Sequence, residues 1–103
     1  MVRLLTVDAH VIDALMPDLV GHDRRPSAFL VYLYLWRRGR GSERRATASL
    51  QQIASDTGLS KRAVQDALGV LRRRRLVISR QQAPTMAPEH AVQMPWRRRS
   101  GGR

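Results

Sequence analysis

Hydrophobic spacing changes character several times along this chain. Residues 29–36, FLVYLYLW, are apolar throughout and follow Pro26 and Ser27. The run predicts a helix from Pro26 to about Arg38, buried on nearly every face and central to the domain. It falls far short of the roughly 20 residues that span a bilayer. Farther on, Leu50, Ile53, Ala54 and Thr57 recur at helical spacing behind Ser49. Ser49-Leu50-Gln51-Gln52 fits a capping box, in which the serine accepts from the backbone three residues on and Gln52 reaches back. Gly58 stops this helix, most simply in the left-handed conformation that glycine adopts at little cost. Ser60 caps the next helix, where Val64, Ala67, Leu68 and Leu71 form one buried stripe.

Other segments alternate or break. Leu76 to Arg80 is β-branched and alternating, so it predicts a strand, and His90 to Met94 predicts its returning partner. Between them QQAPTMAPE is a loop, with Pro84 and Pro88 stiffening its tip. At the start, Val2 to Val7 is β-prone and reads as a strand. Asp8 then opens a short helix with Val11, Ile12, Leu15 and Met16, ended between Pro17 and Gly21. Arg37 to Arg45, RRGRGSERR, reads as a loop. The resulting architecture is mainly α with a small β-wing: a three-helix core plus a β-hairpin, preceded by an extra N-terminal strand and helix. Its parts are an N-terminal extension over 1–25, a domain over 26–96 and a basic disordered tail over 97–103.

Charge sharpens this picture. The 103 residues carry a net charge of +11 and no cysteine. Disulfides and thiolate metal sites are therefore excluded, and a reducing compartment is the natural home, here the cytoplasm. The first residues lack the basic start and sustained apolar run of a signal peptide. Up to Trp36 the acids outnumber the cations by one, whereas from Arg37 onward sixteen cations face Glu43, Asp56, Asp66 and Glu89. A single lysine among eighteen arginines fits a GC-rich coding bias, but that bias does not explain so few acids. Such asymmetry favours a polyanionic partner, with nucleic acid first and an anionic membrane surface second.

The stretch TGLSKRAVQDAL, residues 57–68, joins two short helices through one glycine. A tight corner of this kind, with a polar outer face on its second helix, describes a helix-turn-helix. Ala54 is small enough for a close crossing, Leu59 plugs the junction, and Val64 packs back on Ile53. The second helix can then enter a major groove about 12 Å wide. SLQQIASDTGLSKRAVQDALGVLRRRRLV resembles the winged helix-turn-helix domains of bacterial transcription regulators and of some plasmid replication proteins. Leu50, Ile53, Ala54, Gly58, Leu59, Ser60, Val64, Leu68, Leu71 and the strand Leu76-Val77-Ile78 carry the resemblance, which extends from Pro26 to Trp96. The family often has a glycine just before the wing strand, where this chain has Arg75.

The resemblance implies a recognition helix over 60–73 and duplex DNA as partner. Lys61 and Arg62 would address guanine edges and Gln65 adenine, while Asp66 would accept from cytosine or hold Arg62 in register. Ser49, Ser60, Arg72 and Arg73 would take phosphates, as would Arg74 and Arg75. Arg80, Gln81, Gln82 and Thr85 of the wing would meet the minor groove, and Arg97, Arg98 and Arg99 of the tail the backbone. A homodimer on a symmetric site would double the contacts, with residues 1–25 as a dimerisation arm. The leading function is transcriptional regulation on the bacterial nucleoid. The alternatives are a replication or recombination accessory factor of a plasmid or mobile element, and an RNA-binding protein.

Other chemistries find less support. His10, His22 and His90 are scattered, with no carboxylate or nucleophile at a useful spacing, so no catalytic residue is assigned. Their spacing matches no familiar metal-ligand pattern, and no cofactor or small-molecule effector pocket is expected. Tyr32, Tyr34 and Trp36 alternate, but on a helix they fall on different faces and suit core packing better than base stacking. Trp96, beside the tail arginines, is the better stacking candidate, though its expected role is to close the wing onto the body.

Overall fold

The computed structural model describes residues 2–41 and 43–97. Three α-helices and a three-stranded antiparallel sheet form a winged helix-turn-helix. Helix α1 spans Pro26–Arg38, strand β1 Arg45–Thr47, helix α2 Leu50–Thr57, helix α3 Lys61–Arg73, strand β2 Val77–Arg80 and strand β3 Glu89–Val92. Pro26 opens α1 at a position whose missing N–H costs no helical hydrogen bond. Val31, Tyr32 and Leu35 of α1 are fully buried, together with Ile53, Val64, Ala67 and Leu71 of α2 and α3. Leu30 stays exposed, so α1 is enclosed on most faces and not on all.

Two of the predicted caps form as read. Ser49 Oγ accepts from the Gln52 N–H at 3.1 Å, and Ser60 Oγ accepts from the Ala63 N–H at 3.0 Å. The reciprocal half of the capping box does not form. Gln52 instead sends its side-chain amide one turn forward, to Asp56 at 3.2 Å.

Gly58 takes φ +84°, and its N–H closes the turn on the Ala54 carbonyl at 2.9 Å. Thr57 braces the corner from the inside. Its hydroxyl donates to the Ile53 carbonyl at 2.7 Å and accepts from the Leu59 N–H at 3.3 Å. The end of α3 is a second left-handed stop. Leu76 N–H reaches the Leu71 carbonyl at 2.8 Å and Arg75 N–H reaches the Arg72 carbonyl at 3.1 Å, which is a Schellman pattern. Arg75 sits where glycine is usual and holds φ +59°. The backbone geometry is thus kept without the glycine, at the cost of strain.

The sheet is larger than the predicted hairpin. β3 lies in the middle, paired with β2 on one side and β1 on the other. Ser79 faces His90 across the first pair, and Ala46 faces His90 across the second. The predicted loop over Arg37–Arg45 therefore ends in a strand. It turns through Gly41 and Arg44, both at positive φ, while Arg40 and Arg45 exchange backbone hydrogen bonds of 2.9 and 3.0 Å. A Cβ on Gly39 would stand 2.9 Å from the Arg44 carbonyl oxygen, so the turn folds back too closely for any side chain there.

The N-terminal segment differs from expectation twice. Val2 to Val7 is not a strand. Its apolar Val2 and Leu4 are exposed, it pairs with no strand among the described residues, and its anchor is the Trp36 indole N–H on the Thr6 carbonyl at 2.9 Å. The following helix does not end between Pro17 and Gly21 but continues to His22 as two π-helical stretches, Val11–Leu15 and Pro17–His22. Pro17 begins the second stretch, where its missing donor is harmless. Val11, Leu15 and Leu19 enter the same core as the three helices.

The two left-handed stops give opposite expectations. A Cβ at Gly58 would meet open space, so Gly58→Ala costs only backbone strain and should lower stability by about 1 kcal/mol. Arg75→Gly relieves comparable strain and should hold stability or raise it by up to about 1 kcal/mol. Urea unfolding midpoints of the two variants check both signs.

Candidate nucleic-acid interface

Helix α3 has two dissimilar sides. Val64, Ala67, Leu68 and Leu71 are buried, while Lys61, Arg62, Gln65, Asp66, Arg72 and Arg73 are exposed. The corner at Gly58 brings the first four of those exposed residues to the start of the helix, one turn beyond the Ser60 cap. No ion pair links Asp66 to Arg62 among the described residues, so the side chains of this face are not tied to one another.

The carboxylates are distributed unevenly over the cations. Asp18 and Asp23 hold Arg74, Glu43 and Glu89 hold Arg45, Asp56 holds Arg38, and Asp8 holds Arg97. Among the described residues, no carboxylate lies within ion-pair distance of Lys61, Arg62, Arg72, Arg73, Arg75 or Arg80. Arg3, Arg24, Arg25, Arg37 and Arg40 also lack a carboxylate, on the arm and at the two ends of α1. The ion pairs thus tie down cations that brace the body, and the exposed cations of α3 and the wing are among those left without one.

Arg74 and Arg97 depart from the sequence expectation. Arg74 is expected from the sequence to meet phosphate, yet its guanidinium donates to Asp23 at 2.6 Å and also to Asp18, fastening α3 to the N-terminal segment. Arg97 grips Asp8 through Nε at 2.7 Å and Nη2 at 2.5 Å. The Trp96 indole joins the same carboxylate at 3.0 Å and stacks on His10 with ring centroids 4.5 Å apart. Trp96 therefore pins the N-terminal segment more than it closes the wing. Asp18, His22 and Asp23 form an acidic cluster, but Arg74 already supplies its positive charge. Arg98 and Arg99 lie outside the described residues.

The wing leaves β2 at Arg80 and returns at Glu89. Arg80, Gln81, Gln82 and Thr85 are all exposed. Gln81 is partly engaged, since its amide donates to the Met86 carbonyl at 2.7 Å and holds the loop closed. Ser49 and Ser60 spend their hydroxyls on capping, so what they offer a phosphate is the N-terminus of α2 and of α3. Tyr32, Tyr34 and Trp36 do not form a stacking platform. Tyr32 is buried and donates to the Gln93 carbonyl, Trp36 is covered by the Arg44 guanidinium 4.7 Å from its ring centroid, and Tyr34 bonds Asp56 at 2.5 Å.

The sequence assigns Ser79 no role and leaves His90 as an isolated histidine. His90 is the buried polar side chain of the described core, at 2% exposure, and its Nδ1 lies 2.8 Å from Ser79 Oγ. Arg72 Nη1 donates to the same oxygen at 3.3 Å. The alternation of HAVQM does contain the signal, because an inward strand position at His90 puts an imidazole against the helices. Burial lowers the His90 pKa below the ordinary 6.5, opposed by the Ala48 backbone and assisted by the Arg72 charge.

A family model described as a helix-turn-helix domain matches residues 25–77, just over half of the chain. No curated protein and no solved structure matches the chain. No helix among the described residues is long and apolar enough to cross a membrane.

Acid should destabilise the fold in two steps. His90 is neutral in the fold, whereas in the unfolded chain it gains a proton as pH falls through about 6.5, so stability drops there first. Asp8, Asp23 and Asp56 are held below the ordinary carboxylate value of 3.8, chiefly by hydrogen bonds from Arg97, His22 and Tyr34 respectively. Their contribution is present above that value and is lost as pH falls through their lower folded-state values. Urea unfolding across this range should show both steps, and His90→Asn should remove only the first.

Proposed function

The chain belongs to the helix-turn-helix domain family, and from that premise we propose that it is a sequence-specific duplex DNA-binding protein, a small bacterial transcriptional regulator acting on nucleoid DNA. Membership supports DNA binding in general. The observation that carries the finer reading is the uncompensated cationic face of α3 and the wing, opposite a stripe of buried hydrocarbon. In this reading residues 60–73 lie in the major groove. Arg62 and Lys61 address guanine O6 and N7, Gln65 addresses adenine, and Asp66 accepts from cytosine. Arg72, Arg73 and the helix starts at Ser49 and Ser60 take phosphates. Arg80, Gln82 and Thr85 reach the minor groove beside the wing, with Gln81 shaping the loop.

We propose further that two copies bind together. Residues 4–23 contain no lysine or arginine. Ile12, Met16 and Val20 recur every fourth residue on the π-helical stretches and are exposed. A second copy can approach this stripe without meeting a cation on it. The extended Val2–Val7 arm adds apolar Val2, Leu4 and Leu5 beside it.

Arg62→Ala should cost about 1–3 kcal/mol of specific binding and relax preference at one base pair, as read by gel shift over a series of duplexes. An unchanged preference would count against the base contact. The logarithm of affinity should fall with the logarithm of salt at about −0.9 per phosphate neutralised. Met16→Glu should leave the monomer folded and prevent pairing on a symmetric duplex, as counted by sedimentation. Sites recovered by chromatin pulldown should cluster at promoters, and sites at an origin or attachment sequence would instead indicate replication or recombination.

A further inference from the structure

Arg72, Ser79 and His90 form a chain of polar contacts that runs from the surface of α3 into the core of the sheet. The direction of its first link is fixed by chemistry. A guanidinium only donates, so Ser79 Oγ accepts from Arg72. The serine can then donate its proton to a bare His90 Nδ1 or accept from a protonated one through its second lone pair. The Ala48 backbone beside the ring favours the first arrangement, with the ring proton on Nε2, although no hydrogen bond closes there. Burying an imidazole is unfavourable unless the ring is held by such partners. The placement also links two elements that no other described side-chain hydrogen bond joins, α3 and β2.

A cleft of about 380 Å³ opens directly above this chain, between α3 and the wing. Arg72, Arg80, Gln65 and Gln81 line it, with Ser79 and His90 beneath. Neither cation has a carboxylate partner among the described residues. An unrestrained arginine would lose several rotatable bonds' freedom on meeting a phosphate. One already docked on a serine loses less.

We propose that Ser79 and His90 are positioning residues that hold Arg72 against the wing, so that helix and wing present one preorganised cleft for a single backbone phosphate. This rests on the DNA-binding reading above. It goes beyond that reading in assigning the alignment of Arg72 to a buried pair that touches no DNA. His90 acts through Ser79, and Ser79 through Arg72.

The test compares wild type with Ser79→Ala, Arg72→Met and the double variant, measuring duplex affinity against salt. Arg72→Met should reduce the magnitude of the slope by about 0.9, the share of one phosphate. Ser79→Ala should weaken binding in the same direction, and the double variant should be no weaker than Arg72→Met alone. Additive losses, or an unchanged affinity in Ser79→Ala, would overturn the clamp. Should the wild type itself show no salt-dependent duplex binding, the DNA-binding reading falls and the phosphate cleft with it. A readout free of DNA keeps the pair testable on the folded protein. Nitrogen-15 shifts of the His90 ring should report the neutral form protonated on Nε2, and this pattern should weaken in Ser79→Ala. A ring protonated on Nδ1 in the wild type would reverse the Ser79–His90 contact and contradict this order of donors.

Discussion

The whole arrangement depends on one apolar seam, the packing of α3 against α1. Val64, Ala67 and Leu71 of α3 and Val31 and Leu35 of α1 are completely removed from solvent. Burial of this kind contributes roughly 1.5–3 kcal/mol for each large aliphatic side chain. A seam on one side of a helix fixes which side is left over. Residues at Lys61, Arg62, Gln65 and Asp66 fall on the remaining face because the stripe repeats every three or four positions, and nothing else needs to direct them outward. The corner at Gly58 sets where that face begins, and the Thr57 hydroxyl keeps the corner from relaxing.

Electrostatics in this protein follows the same division. The chain has eight acids, and half of them clamp the periphery to the core: Asp8 at Arg97, Asp18 and Asp23 at Arg74, Asp56 at Arg38. These pairs are partly exposed, so each contributes modestly to stability. Their larger consequence is where they leave charge unbalanced. Arg74 and Arg97 are held by the N-terminal segment, whereas Lys61, Arg62, Arg72 and Arg73 of α3 and Arg80 of the wing have no carboxylate partner among the described residues. The N-terminal segment itself contains no lysine or arginine between residues 4 and 23.

Local signals were legible in the sequence and distant ones were not. The caps at Ser49 and Ser60, the stop at Gly58 and the stripe of α3 each depend on residues within one or two turns, and all form as read. β1 was missed because Arg45-Ala46-Thr47 is too short to show alternation and is defined only by its pairing with β3. Val2 to Val7 carries strand-like residues but finds no partner, so composition alone misleads there. The site divides in the same way. Exposure of Lys61, Arg62 and Gln65 follows from helical period, whereas the capture of Arg74 by Asp18 and Asp23 crosses more than fifty residues. The absent glycine before the wing was visible in the sequence. That Arg75 would adopt the glycine's backbone conformation was not, because the Schellman bonds that enforce it belong to the folded helix end.

The most direct measurement is a backbone amide NMR titration of the protein with a short duplex. Signals of Ser60 to Asp66 and of the wing around Arg80 to Thr85 should shift together, while those of Ile12 to Val20 remain in place at low protein concentration. Shifts confined to the N-terminal segment, or spread evenly over every cationic surface, would contradict a groove-facing α3.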